Sequence, residues 1–210
     1  MKQDRAAPSK LEIAAPLLAD HPALDFLNTR PGIRTRDPTE CIATGDALLA
    51  WLLAAGLLSR AEASNARRRF TSVQLDALAA NARTLREHVR PAVAAWQRKG
   101  GAPSAKVLAS LNRLLAAGPT ITAVQSVDGR ARVTKTRRIE AAAAILTPVA
   151  EAFAQLFSEA DCRLVRECEA ETCSLWFYDR TKAHRRRWCS MGVCGARAKA
   201  AAYRARNRGM

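Results

Sequence analysis

The sequence predicts a mainly helical α+β fold: a helical N-terminal domain with one small β-hairpin, followed by a cysteine-rich C-terminal module. Three observations lead to this prediction. Apolar residues recur at helical spacing over most of the first 160 residues, and alanine occupies 44 of the 210 positions. Asp128-Gly129 separates two stretches of strand-forming residues, which is typical of a hairpin. Five of the six cysteines lie in the last fifty residues.

Local signals place the helices of the N-terminal domain. Asp20 is the expected N-cap of the first helix, with Pro22 in its first turn. Ser59 and Glu62 have the capping-box spacing, and Pro91 predicts a kink in the longest helix. The expected helices cover residues 20–30, 44–55, 59 onward, 72–99, 104–117 and 138–157, and the expected hairpin strands cover 121–127 and 130–136.

The cysteines near the C-terminus predict a structural zinc site. Cys168 and Cys173 form one pair and Cys189 and Cys194 a second, each with four intervening residues, and fifteen residues separate the pairs. The N-terminus has no apolar signal core, so we expect a reducing cytoplasm in which disulfides are disfavoured. Two such pairs suit one tetrahedral Zn²⁺, and a closed four-sulfur shell is structural because it leaves no position for water.

The module around these cysteines is too short for a large core of its own, so we expect the metal to contribute to its folding. The predicted elements are a strand at 163–166, a strand at 175–178 that pairs with 186–188, and a helix over 190–206. This order is treble-clef-like. Cys41 and Cys162 are expected to be small buried apolar residues, and His184 a loop residue that faces solvent or a phosphate.

Positive charge is concentrated at the C-terminus. The chain carries 34 Lys and Arg against 19 Asp and Glu, and +10 of its formal +15 falls between Arg180 and Met210. This asymmetry indicates an anionic partner, although a solvated basic tail is the alternative. We expect Arg197, Arg204 and Arg208 on one side of the last helix, with Lys199 and Arg206 on its flank. The candidate nucleic-acid contacts are Arg185, Arg186, Arg187, Arg197, Lys199, Arg204, Arg206 and Arg208.

Two classes of protein are disfavoured. No apolar stretch is long enough to span a bilayer, so we expect no membrane association. The sequence has no glycine-rich phosphate loop, no Gly-x-Ser-x-Gly elbow and no His-Glu-x-x-His helix, and its three histidines are scattered. We therefore expect that the protein is not an enzyme.

The C-terminal motifs resemble the CGNR zinc finger, which occurs in bacterial proteins after an ABATE domain. The similarity rests on the two cysteine pairs, on 175–180 and 187–191, and on Cys194-Gly195-Ala196-Arg197, where Ala196 stands in place of the family asparagine. Residues 23–29 (ALDFLNT) resemble the opening motif of ABATE domains. The resemblance implies a stress-induced transcription regulator. From the residue pattern we expect a flexible leader at 1–16 and a domain boundary near 160, so the ABATE-like helical domain covers 17–160 and the CGNR-type finger with a basic C-terminal helix covers 161–210.

The sequence thus favours a zinc-dependent DNA-binding transcription regulator whose helical domain senses a small-molecule effector or a partner. Asp25 and Asn28 are candidates for lining a ligand pocket, and the alternative is that they satisfy buried backbone groups. Two other functions stay open at this point. One is an RNA-binding protein, and the other is a protein–protein adaptor in which zinc has a purely structural role.

Overall fold

The computed structural model describes residues 15–208, so the predicted leader lies outside the described residues except for Ala15 and Pro16. The fold is mainly helical with two small antiparallel sheets, as predicted. The helices are α1 (Pro22–Leu27), α2 (Gly45–Ala54), α3 (Arg60–Arg69), α4 (Ser72–Lys99), α5 (Ala105–Ala117), α6 (Thr147–Glu159) and α7 (Ala196–Arg208). The strands are β1 (Thr120–Val127), β2 (Arg130–Arg137), β3 (Val165–Glu167) and β4 (Trp176–Tyr178).

Side-chain caps fix the starts of several helices. Ser59 and Glu62 form the expected reciprocal capping box of α3, and Thr71 and Gln74 form another at α4. Thr44 caps α2, at the start of the helix expected over 44–55. Each cap satisfies a backbone N–H that has no partner within the helix, so these boundaries follow from local sequence.

The first helix differs from its prediction at both ends. His21, not Asp20, is the N-cap: its Nδ1 accepts a hydrogen bond from the Ala23 N–H at 3.2 Å. Asp20 has a φ of 57°, which places it in a turn before the helix. The helix ends at Leu27 with Asn28 as the C-cap, and the following Thr29 N–H donates to the Phe26 carbonyl at 3.2 Å, three residues back instead of four.

One apolar core joins the helices around α4 and α6. Leu24, Phe26 and Leu27 of α1 are fully buried in it. Helix α4 runs without interruption through Pro91. Helix α6 begins later than expected because Pro148 occupies its first turn, which suits a residue without a backbone N–H. None of the helices described between residues 15 and 208 has the length and apolar character needed to cross a membrane.

The predicted hairpin is present. Strands β1 and β2 pair in register from Thr120 opposite Arg137 to Val127 opposite Arg130. Asp128 and Gly129 both have positive φ, 53° and 72°, as a type I′ turn requires. At its base, Arg137 forms ion pairs with Glu62 of α3 and Glu151 of α6, which anchor the hairpin to the helical domain.

The strand pairing of the C-terminal module differs from the prediction. Strand β4 pairs with β3, with Val165 opposite Tyr178, and residues 186–188 form no strand. The turn at Cys168–Cys173 reverses the chain between β3 and β4. The two strands, which are consecutive in sequence, are therefore also adjacent in the sheet. The Arg186 N–H instead donates to the Asp179 carboxylate at 2.9 Å, which holds the segment after β4 as a loop.

The C-terminal module shares the core of the helical domain. Val165 and Trp176 belong to the main apolar core, whereas Leu175 and Phe177 pack with the cysteines in a second, smaller core. Alternation along β4 therefore directs Trp176 to the helical domain and Phe177 to the cysteines. Cys41 and Cys162 are half-buried against the main core.

Candidate functional site

Four cysteine sulfurs converge in the C-terminal module. The Sγ atoms of Cys168, Cys173, Cys189 and Cys194 all lie within 4.8 Å of one another. Cys173 and Cys189 are 3.8 Å apart, and Cys189 and Cys194 are 3.6 Å apart. With Zn–S distances of about 2.3 Å, the sulfurs of a tetrahedral site are about 3.8 Å apart. The four cysteines therefore fit one zinc ion, as their spacing predicted.

Hydrogen bonds from backbone N–H groups hold the first cysteine turn and link it to the second cysteine pair. The Cys168 N–H donates to the Leu175 carbonyl at 2.9 Å, and the Cys173 N–H donates to the Ala170 carbonyl at 2.9 Å. The Cys189 N–H donates to the Cys168 sulfur at 3.4 Å, which links the two pairs directly. An N–H directed at sulfur favours the thiolate, the form of cysteine that binds metal.

The sulfurs also change one another's protonation. A hydrogen bond from the Cys189 thiol lowers the pKa of Cys173 to about 5, and the same contact raises the pKa of Cys189. Burial raises the pKa of Cys194 to about 11. One thiolate is therefore favoured at the expense of its neighbours. A divalent cation would remove this competition, because it stabilises all four thiolates together.

Zinc bound by four thiolates has a net charge of −2, and arginines lie near the sulfurs. Arg197 lines a groove of about 360 Å³ together with Cys173, Cys189 and Cys194. Arg34 donates to the Cys173 carbonyl at 2.7 Å and also pairs with Glu167. The cation at Arg197 favours the negatively charged cluster, whereas the charge of Arg34 is offset by Glu167.

The segment around α1 holds the module against the helical domain. The Asn28 amide donates to the Trp176 carbonyl at 2.9 Å and accepts from the Trp176 N–H at 2.8 Å. The Tyr178 N–H donates to the Ala19 carbonyl at 2.7 Å, and the Ile33 N–H donates to the Ser174 hydroxyl at 3.3 Å. Residues 18–34, which include α1, thus bind the metal module to the helical domain. We call this segment the cradle.

Both candidate pocket residues are engaged by backbone groups of the protein. Asn28 is 1% exposed and makes the two bonds to Trp176. Asp25 accepts the N–H groups of Leu18 and Ala19 through one oxygen, each at 3.0 Å. Burial raises the pKa of Asp25 to about 6, and burial together with the Arg180 cation lowers the pKa of His21 to about 4. A ligand pocket at Asp25 and Asn28 stays a prediction, and the observed bonds match the structural alternative.

Arg186 occupies a position different from the expected one. Its guanidinium donates to the carbonyls of Trp188, Leu18 and Cys189 at 3.0, 2.9 and 2.6 Å. It also pairs with Asp20 and lies 4.4 Å from the centre of the Phe177 ring. With its donors used in this way and 16% of the side chain exposed, Arg186 ties the cradle to the second cysteine pair. We therefore leave it out of the surface available to a nucleic acid.

The other basic residues face solvent. Arg187 is exposed beside Glu169 and the Trp188 ring, and Arg185 is exposed next to it. They line a shallow cavity of about 510 Å³ on the second cysteine turn. His184 is exposed in the loop before them, as expected. The exposed basic residues of α7 are Arg197, Lys199, Arg204 and Arg206, and the side chain of Arg208 lies outside the described part of the chain.

The faces of α7 differ from the predicted arrangement. At 100° per residue, Arg197 and Arg204 share one side, whereas Lys199 and Arg206 lie on the opposite side and not on a flank. Every residue of α7 is exposed up to Asn207 except Ala198, which is half-buried. Tyr203 is 61% exposed. Helix α7 thus presents positive charge on two sides.

One buried charge cluster has no local signal in the sequence. Arg86 of α4 is 1% exposed and donates to both carboxylate oxygens of Glu40, at 2.9 and 2.5 Å. It also donates to the Thr29 hydroxyl at 2.8 Å. This cluster fixes the C-terminal end of the ABATE-like opening motif against α4, and only the three-dimensional fold brings its members together.

Comparison with known families is consistent with this architecture. A family model described as "Putative stress-induced transcription regulator", the ABATE domain, matches residues 20–160. A model of the CGNR zinc finger matches residues 164–207. No curated protein matches the chain. The two matched regions follow one another in the order that the sequence motifs indicated.

Proposed function

Because the chain belongs to the ABATE family and carries a C-terminal CGNR zinc finger, we propose that it is a zinc-dependent, DNA-binding transcription regulator. In this proposal the protein acts in the cytoplasm, as the family description of a stress-induced regulator suggests, and has no enzymatic activity. The zinc finger binds duplex DNA, and the ABATE domain receives the regulatory signal.

The observation that carries the proposal is the solvent exposure of α7. This helix has four exposed Lys or Arg side chains and no acidic residue. Within the described residues none of these four side chains forms an ion pair. An α-helix fits the major groove of B-DNA, and cations on two sides can contact the phosphates of both groove walls. We assign base contacts to Arg197 and Arg204, which share one side of the helix.

The metal has a positioning role in this proposal. Helix α7 begins two residues after Cys194, so the sulfur cluster fixes its first turn relative to the module. Arg185 and Arg187 lie in the loop that leads into Cys189 and would contact the DNA backbone beside the helix. Without the metal, the position of α7 relative to these arginines would no longer be fixed.

The cradle provides a path for regulation. It bonds to the helical domain through Arg86 and Thr29 and to the zinc module through Asn28 and Trp176. A ligand or partner that shifts the cradle changes the position of the module, and hence of α7. This arrangement supports the proposal that the ABATE domain controls DNA binding through the orientation of the finger.

A titration of the zinc-loaded protein against duplex DNA and single-stranded RNA, at several salt concentrations, tests the proposal. Arg197→Ala/Arg204→Ala should weaken duplex binding by about tenfold or more. The slope of the salt dependence should change little, because a base contact, unlike a phosphate contact, releases no condensed counterion. The matched control is Lys106→Ala/Arg113→Ala, which removes two exposed cations from α5 and should bind as the parent does.

The outcomes separate the alternatives. Preference for duplex DNA, with loss confined to the α7 variant, supports the proposal. Stronger binding of single-stranded RNA would favour the RNA-binding alternative. Absence of nucleic-acid binding at low salt would overturn the proposal in favour of an adaptor with a structural zinc ion.

A further inference from the structure

The β1–β2 hairpin stands apart from the core. Its base is anchored by Arg137, but within residues 15–208 neither outer edge pairs with a third strand. Val124 and Val133 face each other across the two strands and are 71% and 67% exposed. An eight-residue strand with a free edge is a template for pairing with another chain, and natural proteins usually protect such edges.

The two edges of this hairpin differ in their protection. Strand β2 has four Lys or Arg among its eight residues, and charged side chains of this kind oppose edge-to-edge pairing. Strand β1, with the sequence TITAVQSV, has no charged residue and no proline. Threonine, isoleucine and valine are strong strand formers. The edge along β1 is therefore the one suited to pairing.

The register of the hairpin determines which β1 residues present their backbone outward. In the type I′ turn the Val127 carbonyl accepts from the Arg130 N–H, so Val127 points its backbone groups toward β2. Alternation then turns the N–H and C=O groups of Thr122, Val124 and Ser126 away from β2. Val124 lies at the centre of this outward set.

We propose that β1 pairs antiparallel with β1 of a second copy of this chain, with Val124 opposite the Val124 of the other copy. The pairing is self-complementary about a two-fold axis, because Thr122 of each copy faces Ser126 of the other. A four-stranded sheet results, in the order β2–β1–β1–β2. The Val133 and Val124 side chains of the two copies form one continuous row across it.

Charge favours a second copy over a nucleic acid as the occupant of this edge. Phosphates require cations, and β1 offers none. A chain with a formal charge of +15 repels its own copies, so self-association is favoured where charge is absent. Arg130 and Arg132 pair with Val127 and Gln125, which places these arginines on the hairpin face opposite the valine row. The valine row is thus free of charge at its centre.

Sedimentation of the zinc-loaded full chain without nucleic acid tests this proposal, with two matched variants. Val124→Lys places two ammonium groups directly opposite each other at the two-fold axis and should give a monomer. Val133→Lys makes the same change on the same face, one strand away. In the dimer its two positions lie three strand spacings apart, about 14 Å, beyond the Debye length at physiological salt. It should stay dimeric.

Each outcome is decisive. A dimeric parent with a monomeric Val124→Lys and a dimeric Val133→Lys supports β1 pairing. A monomeric parent overturns it. A dimeric parent also overturns it if both variants stay dimeric or if both become monomeric. If the parent is a monomer and Arg130→Ala/Arg132→Ala weakens duplex binding, the hairpin contacts nucleic acid instead. The sedimentation experiment contains no DNA, so a monomeric result leaves the proposed DNA-binding function standing.

Discussion

Asn28 covers the outer edge of β4 by forming both hydrogen bonds of a neighbouring strand with Trp176, 148 residues away. The backbone of Trp176 points away from β3, because Trp176 and Glu167 form a pair whose hydrogen-bonding groups face outward. The Ala19 carbonyl does the same for Tyr178. The opening motif of the helical domain therefore completes the small sheet of the zinc module.

Replacing Asn28 with alanine should destabilise the protein by about 2–4 kcal/mol, because it leaves the buried N–H and C=O of Trp176 without partners. Chemical denaturation followed by Trp fluorescence measures the change. Asn81→Ala, an exposed amide on α4, is the matched control and should leave the stability nearly unchanged. Equal stability of the two variants would contradict the role assigned to Asn28.

Arg186→Lys should lower the thermal stability, because an ammonium group cannot reproduce the fork that reaches three carbonyls and Asp20 while stacking on Phe177. Arg185→Lys, at the exposed neighbouring position, should leave the melting temperature unchanged. Thermal scans of the zinc-loaded proteins measure both melting temperatures. Identical melting temperatures of the two variants would contradict the role assigned to Arg186.

Purified, reduced protein should contain one zinc ion per chain, and Cys189→Ser should remove it. Because Trp176 and Val165 lie in the main core, loss of the metal should also lower the stability of the helical domain. Elemental analysis and denaturation measure the two effects. Cys162→Ser, outside the sulfur cluster, should keep its zinc, and zinc-free parent protein with disulfides between the four cysteines would refute the site.

Asp25→Asn should stabilise the protein more at pH 7 than at pH 4. The pKa of Asp25 is raised from 3.8 to about 6 by burial, so folding binds a proton between these values and the ionised form is unfavourable above pH 6. Asparagine keeps the oxygen that accepts from Leu18 and Ala19 and carries no charge. Urea unfolding of variant and parent across this range provides the test, and a pH-independent difference would count against it.

His21→Asn should show the opposite pH dependence. Burial lowers the pKa of His21 from 6.5 to about 4, so the parent is fully stabilised above pH 6.5 and loses stability as the pH falls toward 4. Asparagine is also a good N-cap but does not titrate. The stability of the variant relative to the parent should therefore rise as the pH falls from 6.5 toward 4. The same urea series measures this relative stability. If the variant loses stability relative to the parent on acidification, His21 is not a neutral cap.

Local signals predicted much of the fold. The Ser59–Glu62 capping box, the Asp128-Gly129 turn and the four cysteines each depend on residues close in sequence, and all three appear as expected. The pairing of β4 with β3 was missed because the sequence offers two candidate partner segments, 163–166 and 186–188, and has no signal for which of them pairs. The locations of Arg186 and Arg86 depend on contacts across more than 40 residues, for which a single sequence has no signal.

The turn between Cys189 and Cys194 includes a single π turn over Met191–Gly195, and this turn affects how α7 forms. The Gly195 N–H donates to the Ser190 carbonyl at 3.0 Å, and the Ala196 N–H donates to the Met191 carbonyl, so one turn is closed before the helix begins. Nucleation is the unfavourable step of helix formation, with an equilibrium constant of about 10⁻³, and a free 13-residue peptide is marginally helical in water. The cysteine turn supplies a nucleus from which α7 only has to propagate. Its alanine- and arginine-rich composition then extends the helix outward without support from the core.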